Sequence, residues 1–268
     1  MFRYSKTGSH GLLRSFCREQ LHHIPITPFL TKKSFSLYTK SISTITPYKR
    51  TIFNTHKMNL MTISQSLDEA YTKHKVIPDV VDKFDTQGLL TIEYGESKQV
   101  ALGNTLKVDE TQERPQIQFT LNSPGSEKEL SISSEDKFAL VLTDPDAPSN
   151  KDHKWSEYAH WIITDLRLNA DSEESAESLS TVLDYSKGKE ILPYVGPAPP
   201  ASTGKHRYVF LLFKQDPSVN YEAPPDRPNW GTGVPGSGFR DWIKKVGGKS
   251  ELFGINFFYA QNVKQDEE

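Results

Sequence analysis

The chain has 268 residues, enough for one globular domain with an added segment or for two small domains. Hydrophobic residues make up 35% of it, and no apolar run approaches the roughly 18 residues needed to span a membrane, so a soluble body is expected. The formal net charge of −2 hides an asymmetry: residues 1–57 hold ten Lys or Arg against one acid, Glu19 (+9), which leaves 22 basic and 33 acidic groups (−11) in the other 211 residues. An acidic body lacks the basic face that a nucleic-acid partner requires.

Residues 1–57 are rich in Ser, Thr, Lys and Arg, and GLLRSFCREQLHH would place Leu12, Leu13, Phe16 and Leu21 on one side of a short helix. Two readings fit this composition. It is that of a mitochondrial presequence, or it is an upstream stretch that is rarely translated, with synthesis starting at Met58. Localisation follows the choice: mitochondrial if the extension is made and imported, cytoplasmic or vacuole-associated if translation starts at Met58. Either way the segment is expected to be disordered, with the folded domain over residues 58–268. The single cysteine, Cys17, lies here, so the body carries neither a disulfide framework nor a cysteine metal site.

A helical pattern begins near Thr62. Ser66 and Glu69 have capping-box spacing, and Leu67, Ala70 and Tyr71 share one face. Beyond VIPDVVDKF the period changes to two. LLTIEYG, IQFTL, KFALVLTD, YAHWIIT, RYVFLLFK and GINFFYA read as strands, several of them apolar on both faces. NADSEESAESLS (Asn169 to Ser180) reads as a solvated loop, and FRDWIKKV (Phe239 to Val246) as a short helix stopped by Gly247 and Gly248. The expected class is mainly β with peripheral helices.

Two proline-rich loops hold the candidate chemistry. In TDPDAPS, Pro145 and Pro148 remove donors and fix φ, while Asp144 and Asp146 can bond nearby amides. By alternation, Tyr158, His160 and Ile162 share a face on the following strand. In YVGPAPPASTGKHRYVF, the stretch Gly196 to Pro200 precedes a strand on which His206 and Tyr208 share a face and Arg207 takes the other. Each element alone reads as an ordinary turn or core residue. Together, if the loops meet at one rim, they form a polar mouth with two imidazoles, a phenol and two carboxylates on an apolar floor. Imidazoles donate to anions, so a phosphate, phosphoester or carboxylate is the expected occupant. The carboxylates repel anions, and are expected to hold a histidine tautomer or loop amides instead.

The spacing of His153, His160 and His206 is not a metal signature. Ser156 and Ser202 lack a nucleophile elbow. No catalysis, metal or cofactor is expected. DRPNWGTGVPGSG (Asp226 to Gly238) is expected to pack Trp230 on the body rather than to close over the mouth.

TDPDAPS, EYAHW, YVGPAPP and GKHRYVFLLF together resemble the signature segments of the phosphatidylethanolamine-binding protein family. KWSEYAHW, DRPNWGTG and the run from Met58 to Val81 are similar to its fungal branch. The resemblance implies a large central β-sheet packed with a smaller sheet and flanked by helices. It also implies an anion pocket on Asp144, Asp146, His160, Pro200, His206 and Tyr208, with Pro148, Tyr158 and Ala198 as secondary wall. Ala198 departs from the glycine of many animal members. An anionic phospholipid headgroup or phosphate is the implied ligand. The fungal branch further implies a vacuolar serine carboxypeptidase of the carboxypeptidase Y type as partner, inhibited by Met58, Asn59 and Leu60. An extended apolar start would fill a hydrophobic cleft; alternatively, Met58 to Ile63 simply lead into the first helix. A lipid or phosphometabolite carrier, or a scaffold for signalling proteins, is the other expected role.

Overall fold

The computed structural model describes residues 55–122, 132–168 and 180–264, with side chains from Ile63 onward. The chain divides into two units, Met1–Thr51 and Ile52–Glu268. The basic stretch 1–54, and with it the expected disorder, lies outside the described residues, as does the acidic run 169–179.

Among the described residues, ten strands build two sheets. β1 (Gly88–Tyr94), β2 (Lys98–Val100), β4 (Gln116–Leu121) and β7 (Ser180–Val182) form a sheet of order β2-β1-β4-β7. β3 (Asn104–Thr105), β5 (Phe138–Asp144), β6 (Tyr158–Leu166), β8 (Lys189–Leu192), β9 (His206–Lys214) and β10 (Glu251–Ala260) form the larger one, of order β3-β10-β9-β5-β6-β8. Its neighbours run antiparallel except for the short β3, which pairs in parallel with β10. Helices α1 (Thr55–Lys73), α2 (Val76–Asp79) and α3 (Phe239–Val246) complete the fold.

All seven residues of β5 are buried because the larger sheet is covered on both faces. Phe138, Leu140, Leu142, Phe210 and Leu212 point at the smaller sheet, where Leu90, Ile92 and Phe119 meet them. Ala139, Val141, Val209, Leu211 and Phe213 point the other way, onto Leu67 and Tyr71 of α1 and Phe239 and Trp242 of α3. Trp230 is 2% exposed and packs on Phe239 and Trp242, so the loop at 226–238 does close on the body.

The sequence reading needs three corrections. α1 begins at Thr55, before the expected start, so Ser66 and Glu69 stand mid-helix on an exposed face rather than at a cap. The backbone of Met58, Asn59 and Leu60 is therefore helical, and their side chains lie outside the described residues. Ile162 does not share a face with His160. The β5–β6 register slips between Leu142 and Thr143, and this bulge puts Ala159 and Ile162 on the helix side while Trp161 and Ile163 face the smaller sheet.

Candidate functional site: a histidine-lined cavity at one end of the sheet

Antiparallel pairing brings three chain ends to one rim. β5 finishes at Asp144, opposite Tyr158 where β6 starts, and Thr143 pairs with Val209 near the start of β9. The TDPDAPS turn and the proline-rich loop before β9 both end there. Between them lies a cavity of about 190 Å³ lined by Asp144, Pro148, Tyr158, His160, Ala198, Pro200, His206 and Tyr208. Trp155, Val195 and Gly196 also line it. Trp155 is 45% exposed at the mouth, a site that could be read in the sequence only as an aromatic among polar neighbours. The loop lies close to the body: a Cβ on Gly196 would come within 2.9 Å of the Gln112 backbone.

The two imidazoles are held differently. His160 donates from Nδ1 to the carbonyl of Val195 at 2.7 Å, which fixes the tautomer because a carbonyl only accepts. Its ring packs against Tyr158 at 5.0 Å and edge-on to Tyr208 at 5.2 Å. Burial pushes its pKa below the ordinary histidine value, against the pull of the Asp144 charge. At neutral pH it therefore presents an unprotonated Nε2 to the cavity. His206 has Nδ1 2.8 Å from Asp144 Oδ2 and Nε2 3.0 Å from Thr203 Oγ1. The Thr203 hydroxyl gives its one proton to the Pro200 carbonyl at 2.7 Å, so it accepts from Nε2. The His206 ring is thus clamped between a buried carboxylate and a hydroxyl. Asp144 Oδ1 accepts from the amide of Asp146 at 2.7 Å, so its charge is spent on the pair and the turn. The Tyr208 phenol is pushed well up, first by burial and then by Asp144, and stays a neutral hydroxyl.

Asp146 is the one expected pocket residue that does not line the cavity. Its carboxylate turns to the other face of β9, where it forms a two-point pair with Arg207: Oδ1 to Nη2 at 2.7 Å and Oδ2 to Nε at 2.9 Å. The reason is the alternation that puts His206 and Arg207 on opposite faces. Ser156 donates to the Pro145 carbonyl at 2.5 Å and braces the turn. Glu157, unremarked in the sequence, is fully buried; Oε2 accepts from Thr143 Oγ1 at 2.9 Å and Oε1 has no partner. Burial raises its pKa to about 8. Gly238 leaves room for it, since a Cβ there would fall 2.0 Å from Glu157 Cδ.

A small apolar-walled cavity with one imidazole braced by a carboxylate, a second imidazole able to gain a proton and a phenol donor can hold an anionic oxygen. Among the described residues, no three His, Cys, Asp or Glu stand together as metal ligands, and no helix is long and apolar enough to cross a membrane.

Comparison with known proteins agrees with this architecture. The sequence profile of the phosphatidylethanolamine-binding proteins matches residues 96–258. The chain is 39% identical over 212 residues to the carboxypeptidase Y inhibitor of Saccharomyces cerevisiae, covering 74% of this chain and 96% of that protein. It is 36% identical over 209 residues to the yeast protein YLR179C, described as uncharacterized, covering 76% and 98%. The crystal structure of carboxypeptidase Y inhibitor complexed with its cognate proteinase superposes with a TM-score of 0.67 at 39% identity, covering 74% of this chain and 96% of the other. The chain belongs to the phosphatidylethanolamine-binding protein family.

Proposed function

We propose that this protein inhibits a serine carboxypeptidase of the carboxypeptidase Y type, without catalysis of its own. The observation that carries the reading is the 39% identity to the yeast inhibitor over 96% of that protein's length. In this reading the segment from Met58, with Asn59 and Leu60, enters the substrate cleft of the protease. The helical start of α1 unwinds or docks as a helix to do so, and the folded body makes a second contact. The histidine-lined cavity binds a phosphate or the headgroup of an anionic phospholipid. Protease inhibition and anion binding then use different parts of the chain.

Titrating a vacuolar carboxypeptidase with the protein started at Met58 tests the reading. Activity should fall linearly to zero at one inhibitor per enzyme. A second reading, which the histidine-lined cavity supports, is a lipid or phosphometabolite carrier or signalling scaffold with no protease target. Undiminished carboxypeptidase activity at tenfold excess would support that one instead.

A further inference from the structure

On the face of β9 opposite the histidine cavity lies a second, larger concavity of about 370 Å³ that shares no lining residue with the first. Four cations line it. Lys73 ends α1, Lys75 stands at the joint between α1 and α2, Lys205 comes from the loop before β9, and Arg207 from β9 itself. Two carboxylates also line it, Asp79 and Asp146, leaving an excess of two positive charges (4 − 2) within a body of net −11.

The carboxylates are already committed. Asp146 takes Nε and Nη2 of Arg207, and Asp79 takes Nη1 at 2.9 Å. The remaining reach of Nη1 goes to the carbonyls of His74 and Lys75, at 3.1 and 3.2 Å. Arg207 is thus a fixed, saturated wall. The Lys73 and Lys75 ammonium groups have no ion-pair partner among the described residues, and Lys205 has only the Thr105 hydroxyl, at 3.3 Å.

A lysine in the last turn of a helix is ordinary, because it complements the negative end of the dipole. That accounts for Lys73 alone. It does not account for Lys205, which arrives from 132 positions further along the chain at the same concavity. The positive field is felt inside: after burial, the charges of Lys73 and Arg207 are what push the His74 pKa down. Lys75 holds a left-handed backbone (φ 56) at the joint between α1 and α2, a conformation that non-glycine residues rarely adopt.

We propose that this concavity is a second anion site, for a small molecule carrying two or more phosphate groups. Its volume is about twice that of the histidine cavity. Its free ammonium groups converge from separate elements, as needed to clamp more than one phosphate. The walls formed by Tyr259 and by His74, whose Nδ1 lies 2.9 Å from the Tyr259 hydroxyl, suit a ring attached to those phosphates.

Calorimetric titration of the full chain with inorganic pyrophosphate at constant ionic strength tests this. Saturable binding is expected. The triple variant Lys73→Gln/Lys75→Gln/Lys205→Gln should weaken it by about tenfold or more, the loss expected from removing even one charge-assisted hydrogen bond. Its melting temperature and its response to orthophosphate in the histidine cavity should not change. Pyrophosphate binding that is equally tight in the triple variant, or that is not saturable, overturns the proposal. Titration with inositol bisphosphate and with vesicles carrying the matching lipid then sorts the source. Tighter binding to vesicles assigns a lipid headgroup, and equal binding assigns a soluble metabolite. This outcome is independent of carboxypeptidase inhibition.

Discussion

Asp144 and His206 are 3% and 1% exposed and meet at 2.8 Å, while two residues after Asp144 and one after His206 the Asp146 carboxylate grips Arg207 on the opposite face. The DPD turn thus anchors both sides of one strand. Breaking a buried pair strands a charge and costs about 3–5 kcal/mol, whereas an exposed pair is worth about 0–1 kcal/mol. Asp144→Ala and Asp146→Ala should each lower unfolding free energy by the larger amount. Asp82→Ala, which releases the exposed pairs to Arg240 and Lys244, should cost no more than the smaller. Urea denaturation of the three variants checks the contrast.

Anion binding in the cavity should be coupled to proton uptake. His160 is unprotonated at neutral pH because burial depresses its pKa, and an anion beside Nε2 favours the charged ring. Affinity for orthophosphate should therefore rise as pH falls from 8 to 5.5, by up to about tenfold per pH unit while the bound form keeps its proton. His160→Asn should flatten the profile. Calorimetry in two buffers of different ionisation enthalpy reads the proton uptake directly.

Glu157 gives the fold an opposite pH dependence to that of most carboxylates. Its folded pKa is raised from 4.5 to about 8, so between those values the folded state holds a proton that the unfolded state has lost. Its contribution is full below the ordinary glutamate range and is lost as pH rises to about 8. Glu157→Gln keeps the shape and removes the titration. The variant should gain stability relative to wild type as pH climbs from 5 to 9, measured by thermal melts across that range.

Trp155 stands at the cavity mouth, half out in solvent. Trp155→Ala should leave stability within about 0.5 kcal/mol, as for other surface changes. It should weaken binding of a phosphoester with an apolar tail more than binding of orthophosphate, since only the former reaches the indole. Paired titrations with the two ligands measure the difference.

The long strands are legible because β5 and β9 carry unbroken apolar runs, Phe138 to Leu142 and Tyr208 to Phe213, and β1 alternates. β2, β3, β7 and β8 span only two to four residues, too few to show a period. The convergence of the two proline loops follows from antiparallel pairing of β6, β5 and β9, which no local pattern reveals. Strict alternation places Ile162 with His160, and a bulge in β6 inverts that assignment. Asp146 enters the expected pocket through the family resemblance; past the end of β5 the chain turns, and its carboxylate reaches Arg207 on the other face of β9. Glu157 left no signal, since a lone glutamate before a strand normally faces water.

The inhibitory reading stands or falls on the residues that open α1. Deleting Met58 to Thr62 from a protein started at Met58 leaves the cavity, both sheets and α3 untouched. The inhibition constant for a vacuolar carboxypeptidase, measured for the two proteins side by side, should rise by about a hundredfold or more, the loss of roughly 3 kcal/mol of buried contact. Equal constants for the two proteins would contradict the account.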